Sequence, residues 1–115
     1  MANTFKLVTK AGVTSADVIY TVAGSTTTVV LGIMLGNTTT SQVTATVTIE
    51  SDTSNRSGAN NEANQTVELV TNAPIPAGSS LELLAGNKVV METTDVLKLT
   101  ASGATDIAVS IMEIT

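Results

Sequence analysis

The sequence predicts an all-β fold, a single-domain antiparallel β-sandwich of jelly-roll type with about eight strands. Short apolar or alternating segments recur at intervals of roughly 8–12 residues, and turn-forming residues separate them. We find no segment with the 3.6-residue periodicity of an amphipathic helix. Threonine occurs 21 times in the 115 residues, and its branched Cβ suits strands better than helices.

The length is that of one domain, enough for a single core between two packed sheets. We therefore expect one domain over residues 1–115, with residues 1–10 forming an N-terminal arm or an edge strand. The core must consist of aliphatic side chains, because the chain has one Phe, one Tyr and no Trp. Such a core buries less area per residue, so we expect partner subunits to add to its stability.

The first two strands are predicted at residues 4–10 and 17–22. In the first, Phe5 and Leu7 alternate with Lys6 and Lys10, which predicts a core face with the aromatic residue and a wet face with the lysines. In the second, alternation places Val18, Tyr20 and Val22 on one face. We expect Phe5 and Tyr20 to fill the core rather than to stack on sugars.

The third strand contains the longest apolar run, at residues 29–35, and we predict that it is the central strand with both faces covered. Gly32 within it predicts a bulge or a close backbone approach. Residues 42–50 alternate strictly between apolar and threonine residues, which predicts a half-buried fourth strand. We expect the third and fourth strands to pair as an antiparallel hairpin. The threonines 26–28 are interpreted as a wet contact surface at the end of the sheet.

Residues 51–64 contain no large apolar side chain and predict a loop of about 14 residues, longer than most connections. A fifth strand is predicted at residues 65–71, and the prolines at 74 and 76 are expected to interrupt the ladder. The remaining strands, at 81–85, 88–91, 96–101 and 106–114, are predicted to form a meander, with a Gly-Asn turn between the first two. Asp95 and Asp106 begin strands after turns, where a carboxylate accepts a local backbone N–H.

The residue inventory argues against several functions. The net charge is −5 and the five basic residues do not cluster, so we expect no nucleic-acid binding. Cysteine and histidine are absent, which removes thiolate and imidazole chemistry. Glu50, Asp52 and Glu62 flank the loop without matching a calcium motif. We therefore expect no enzyme, no cofactor and no metal. The sequence has no secretory signal or membrane anchor, so synthesis in the cytoplasm is expected.

Four segments carry a resemblance to a known group of proteins. They are Tyr20-Thr21-Val22 with Gly24 and Thr26-Thr27-Thr28-Val29-Val30, then Asn72 to Leu81, Asp95-Val96-Leu97-Lys98-Leu99, and Met112-Glu113-Ile114-Thr115. These resemble small virion proteins of tailed bacteriophages, in particular phages of marine bacteria and cyanobacteria. Where such proteins have a proline before Gly24, this chain has Ala23.

The resemblance implies a non-enzymatic structural protein of the virion, assembled in the host cytoplasm. A capsid decoration or cement protein, which binds the capsid surface and stabilises it, ranks first. An accessory of the neck, collar or tail is an alternative, and so is a receptor- or carbohydrate-binding β-sandwich module of a tail fibre. The implied partners are copies of the chain itself, as a homo-oligomer such as a trimer, and virion proteins such as the major capsid protein.

Three segments are predicted to make the subunit contacts: the first strand, the long loop and the proline-containing segment. Edge strands and loops are the parts of a sandwich that remain available to partners. The candidate contact residues are Phe5, Lys6 and Leu7, then Asn55, Arg56, Asn60 and Asn61, and finally Pro74, Ile75 and Pro76.

Overall fold

A computed structural model describes residues 2–51, 65–84 and 87–115 of the chain and shows an antiparallel β-sandwich, which confirms the predicted fold class. Within these residues we find nine strands. The same residues contain no helix that is long and apolar enough to cross a bilayer. The strands are β1 (Asn3–Val13), β2 (Ala16–Thr21), β3 (Thr27–Asn37), β4 (Val43–Glu50), β5 (Thr66–Ile75), β6 (Ser80–Leu83), β7 (Val89–Met91), β8 (Val96–Ala101) and β9 (Thr105–Ile114).

The strands form two sheets. The five-stranded sheet has the order β1-β9-β3-β6, and β7 also pairs with β3. The four-stranded sheet has the order β2-β8-β4-β5. The core lies between the sheets and is aliphatic, as its fully buried Val30, Leu35, Val47, Leu99 and Val109 show.

The predicted hairpin between the third and fourth strands is wrong. β3 lies in the five-stranded sheet between β9 and β6, whereas β4 lies in the four-stranded sheet between β8 and β5. The connection at residues 38–42 therefore crosses from one sheet to the other. Alternation in β4 is as predicted, with Val43, Ala45 and Val47 buried. Periodicity separates the two faces of a strand, but it does not report which strand is the neighbour.

The predicted meander of the last third is also wrong. β6 pairs with residues 33–36 of β3, and β7 pairs with residues 28–30 of the same strand. The two short strands therefore lie end to end along one edge of β3 instead of pairing with each other. β8 then crosses to the four-stranded sheet, and β9 returns to the middle of the five-stranded one.

Bulges shift the faces of several strands. In β3 the register shifts between Val30 and Gly32, which confirms the bulge predicted from the glycine. In β2 a shift between Val18 and Tyr20 leaves Val18 exposed, so the predicted common face of Val18, Tyr20 and Val22 is wrong. An extra residue at each site reverses the alternation beyond it.

The proline at position 74 does not interrupt the fifth strand as predicted. β5 continues through Pro74 to Ile75, because it is an edge strand where a missing N–H removes no ladder hydrogen bond. Asn72 within it has a positive φ of 46°, and its N–H donates to the Thr46 hydroxyl at 2.9 Å. That side-chain contact replaces the backbone pairing lost where the register shifts.

Two buried polar side chains hold the connections at the ends of the strands. Asn37 is buried, and its amide nitrogen donates to the carbonyls of Ser41 at 2.8 Å and Ile75 at 2.9 Å. Its amide oxygen accepts from the Thr39 N–H at 2.8 Å. Asp95 accepts from the Glu92 N–H at 2.9 Å, which confirms the predicted local role of this aspartate.

Candidate assembly surface

The two faces of β1 are the reverse of the prediction. Phe5 is 72% exposed and Leu7 is 66% exposed, so the expected core position of Phe5 is wrong. Lys6 and Lys10 pair in register with the buried Ile111 and Ile107 of β9 and so share their inward side. Alternation separates two faces of a strand without stating which one is buried.

Each inward lysine has an acidic partner at the rim of the sandwich. Lys6 contacts Glu113 of β9 at 2.7 Å, and Lys10 contacts Asp17 of β2 at 3.0 Å. The aliphatic stems can cover the edge of the core while the ammonium groups stay wet. The lysines are therefore accommodated on the inner side, and the apolar residues of β1 remain on the outside.

The outer face of the five-stranded sheet carries four exposed apolar side chains, Phe5, Leu7, Met34 and Val90. Residues paired across antiparallel strands point to the same side, so the register defines cross-strand rows. One row consists of Phe5, Met112, Val29 and Val90, in which Val90 is 60% exposed. This row is continuous from β1 to β7.

The adjoining rows combine a few large residues with several small ones. The second row contains Leu7, Ser110 and Gly32, and the third contains Thr9, Ala108, Met34 and Glu82. The fourth contains Asp106, Gly36 and Ser80. Met34, which is 46% exposed, is the large residue in the middle of this part of the face.

Small residues turn the centre of this face into a groove. A cavity of about 370 Å³ lies on one side of Met34 and is lined by Gly32, Ser110 and Leu84 among others. A second cavity of about 340 Å³ lies on the other side, beside Gly36 and Ala108. A Cβ atom built on either Gly32 or Gly36 would meet no other atom within 4 Å, so the groove is open above both glycines.

The outer face of the four-stranded sheet has the opposite character. It carries Thr44, Thr46, Thr48 and Thr100, whose paired positions place them on one side, and Lys98 bonds Glu50 there at 2.9 Å. Hydroxyl groups keep such a surface wet without charge. A group of exposed apolar side chains such as the one on the five-stranded sheet is often an interaction site.

β1 also offers a free backbone edge. Residues 3–10 pair with β9 without a bulge, and within the described residues no strand pairs with the other side of β1. The regular edge ends at Gly12, which has a φ of 67° and donates its N–H to Asp106 at 2.8 Å. Asp106 thus binds a distant strand rather than the local backbone that was predicted. Long regular edges can pair with another chain.

A polar cluster joins the two sheets at one end. The Tyr20 hydroxyl of β2 donates to the Glu113 carboxylate of β9 at 2.5 Å and lies 2.8 Å from the Thr28 hydroxyl of β3. Thr28 must donate in the second contact, because the tyrosine proton is already used. Burial and the bond to Glu113 raise the pKa of Tyr20 to about 12. Hydrogen bonds from Lys6 and Tyr20 lower the pKa of Glu113.

Thr28 is completely buried in this cluster and Thr26 nearly so, so the interpretation of these threonines as a wet contact surface is wrong. Thr26 donates its hydroxyl to the Gly24 carbonyl at 3.0 Å and closes the turn. Within the described residues no group of three acidic side chains could hold a metal ion.

The predicted contact residues fall in different places. Phe5 and Leu7 lie on the apolar outer face, and Lys6 lies at the rim. Pro74 and Pro76 are exposed, whereas Ile75 is fully buried and faces the core. The four contact residues predicted in the loop, Asn55, Arg56, Asn60 and Asn61, lie outside the described residues.

Sequence reasoning missed the other contributors to the outer face, Val29, Met34, Val90 and Met112. For Val29, Met34 and Met112 the signal was the presence of apolar residues at both phases of the alternation in β3 and β9. A strand with one wet face does not need them.

In comparisons with known proteins, no family model and no curated protein matches the sequence. Solved structures do match in fold. A protein of Bacillus endospore appendages, described as a family of disulfide-linked pili, has a TM-score of 0.51 and 17% identity, and the match covers 99% of this chain and 87% of that chain.

Two chains from infectious bursal disease virus are also similar. One, from the Gx strain, has a TM-score of 0.50 and 12% identity over 98% of this chain. The other, a mutant VP2 protein that forms particles, has a TM-score of 0.51 and 11% identity over 96% of this chain. This chain spans 37% and 35% of the length of those two viral chains. These likenesses show a shared sandwich fold.

Proposed function

We propose that the chain is a non-enzymatic structural subunit of a bacteriophage virion, and that it serves as a capsid decoration protein. The observation that carries this proposal is the apolar outer face of the five-stranded sheet, which includes Phe5, Leu7 and Met34. A protein that works alone in solution gains nothing from such a surface, whereas an assembling subunit buries it against a neighbour.

The fold supports the same role. The similar structures come from spore pili and from a viral particle, and both are assemblies of many copies. The resemblance of the sequence to small virion proteins of tailed phages favours the virion over a pilus. This chain has no cysteine, so it cannot form the disulfide links that the pilus family is named for.

The net charge of −5 fits the surface of a particle filled with nucleic acid. An acidic subunit is repelled by phosphates and does not adhere to DNA during packaging. The contacts to other virion proteins then depend on apolar surface, on the free edge of β1 and on the loop at residues 51–64.

Measuring the copy number of the protein in purified particles tests the proposal. A decoration protein is expected at a copy number close to that of the major capsid protein, and adding purified protein to particles that lack it should raise their melting temperature. A single small ring of copies per particle would instead indicate a neck or tail accessory. Absence from the particle would overturn the virion assignment.

A further inference from the structure

The outer face of the five-stranded sheet is complementary to itself. We propose that two copies of this chain pack face to face through it. The two-fold axis that relates them lies in the plane between the two sheets, over the gap between β9 and β3, and runs parallel to the strands. This inference rests on the proposed function, since it names a second copy as the partner of the apolar face. An isologous interface requires that each patch match its own rotated copy.

This axis exchanges β1 with the β6 and β7 edge and exchanges β9 with β3, while each cross-strand row stays opposite itself. Phe5 of one copy then lies opposite Val90 of the other, and Met112 lies opposite Val29. The row is apolar in both copies, so each of these contacts removes apolar surface from water.

The large and small residues also match. In the third row, Met34 of one copy lies opposite the small Ala108 of the other. In the second row, Ser110 lies opposite Gly32, and the cavity of about 370 Å³ that Gly32, Ser110 and Leu84 line gives the Leu7 side chain room to pack. Side chains of one sheet thus enter depressions of the other, as in sheets packed about 10 Å apart.

The charges on the four rows do not oppose the pairing. The charged residues of these rows are Glu82 and Asp106. The axis places Glu82 opposite Thr9 and Asp106 opposite Gly36, so no two like charges meet. Binding of a second copy requires that each acidic residue of the face lie opposite an uncharged residue of the same face. Binding of a different apolar protein does not require this arrangement.

The area is sufficient for a weak, reversible dimer. Four strands spaced by about 4.8 Å, each contributing about eight residues, give a flat area of roughly 500 Å² per copy. Two copies then bury about 1,000 Å², which is the size of weak, transient interfaces. We therefore expect a reversible dimer whose formation depends on concentration.

Sedimentation velocity of the purified chain over about a thousandfold range of concentration tests the proposal. We expect a monomer–dimer equilibrium. Leu7→Thr should raise the dimer dissociation constant about tenfold or more, because it removes an exposed apolar side chain that dimer formation would bury. Gly32→Thr should have a similar effect, because it fills the groove in a position where a Cβ meets no atom of its own chain.

Matched controls separate these effects from misfolding. Val18→Thr removes an exposed apolar residue from the other sheet, and Gly24→Thr adds a side chain in a turn with open space. Both should dimerise as the wild type does, and circular dichroism should show native strand content for all four variants. A charge pair gives a further check, since Thr9→Glu should weaken the dimer by a few fold through repulsion of Glu82 and Thr9→Lys should not.

A monomer at every concentration would overturn the proposal, and so would a dimer that Leu7→Thr and Gly32→Thr leave unchanged. A trimer sensitive to these substitutions would overturn the two-fold arrangement. The copy number in particles tests the proposed function separately from the dimer. A chain that is monomeric but present at a copy number close to that of the major capsid protein would refute the dimer and leave the proposed function standing. A chain that dimerises but is absent from particles would refute the proposed function and leave the dimer standing.

Discussion

Tyr20 of the four-stranded sheet donates a hydrogen bond of 2.5 Å to Glu113 of the five-stranded sheet. This hydrogen bond joins two residues that lie 93 positions apart in the chain, one in each sheet. The Tyr20 oxygen also accepts the proton of the buried Thr28 hydroxyl, and Lys6 neutralises the other oxygen of Glu113. Polar bonds therefore reinforce the aliphatic core at this end of the sandwich.

Tyr20→Phe should lower the free energy of unfolding by roughly 1–2 kcal/mol, because it leaves the Thr28 hydroxyl without its acceptor and Glu113 without one donor. Urea unfolding followed by circular dichroism measures this difference. The control is Thr21→Ala, which truncates the exposed neighbour on the same strand. An equal loss in both variants would show that the hydroxyl of Tyr20 contributes nothing.

The raised pKa of Tyr20 also predicts that the fold loses stability in alkali. Its pKa is raised from 10.0 to about 12 in the folded chain, so above pH 10 the unfolded chain loses this proton first. The stability that the protonated hydroxyl contributes is complete below pH 10 and is lost as the pH rises to about 12. The chain has one tyrosine, so its absorbance titration reports this group alone, and a midpoint near 10 would contradict the prediction.

In acid, Glu113 makes the stability of the fold fall as the pH decreases, whereas Tyr20 makes it fall as the pH increases in alkali. The pKa of Glu113 is lowered by Lys6 and Tyr20 from its ordinary value of 4.5. Its stabilising contribution is therefore present above pH 4.5 and is lost as the pH falls through the lowered pKa. Glu113→Gln should show a smaller loss of melting temperature than the wild type over this acidic range. Parallel melting curves for the two proteins in acid would count against the assignment.

The sequence predicted the location of most strands because a period of two is a local property. β8 is predicted at its observed bounds, and β4 and β9 are close to theirs. Strand pairing is not local, since the same alternation suits any neighbour with an apolar face. This is why the expected pairing of β3 with β4 failed although both strands were found.

The apolar outer face of the five-stranded sheet could be predicted only in part, for a different reason. Phe5 and Leu7 were chosen as contact residues while their side chains were assigned to the core. The buried face is decided by the bulge at Gly12 and by the partners that Lys6 and Lys10 find on other strands. Nothing within residues 4–10 contains that information.

Asn37→Ala should destabilise the fold by about 3 kcal/mol, because three backbone groups lose a buried partner. These are the carbonyls of Ser41 and Ile75 and the N–H of Thr39. Asn37→Asp should be worse at neutral pH, because its carboxylate would face both carbonyls, and it should recover in part in acid, where a protonated carboxyl can donate. Denaturant melts at two pH values measure this, and an absence of pH dependence relative to Asn37→Ala would contradict it.

Gly103→Ala should destabilise the chain by about 1–3 kcal/mol through overpacking. A Cβ at this position would lie 2.8 Å from Cγ1 of the buried Val43. Shortening the neighbour should relieve the clash, so Gly103→Ala combined with Val43→Ala should cost less than the sum of the two single changes. Gly24→Ala is the control, since a Cβ there meets nothing within 4 Å, and a strictly additive double variant would argue against the clash.

Replacing residues 52–64 with a short glycine-rich turn should leave the sandwich folded. It should also lower the copy number of the protein in particles, because it removes the loop that is proposed to contact other virion proteins. β4 and β5 are antiparallel neighbours, and Ser51 and Gln65 already bond across their ends, with the Ser51 N–H donating to the Gln65 carbonyl at 2.7 Å. A tight turn can therefore join them without moving either strand.

The melting temperature checks the fold, and the copy number in purified particles checks the contacts. The matched control restores the full length with the charged and amide residues 55, 56, 60 and 61 changed to serine, which should reproduce the loss of incorporation. Normal incorporation of both variants would remove the loop from the contact surface and leave the apolar face and the β1 edge to carry assembly.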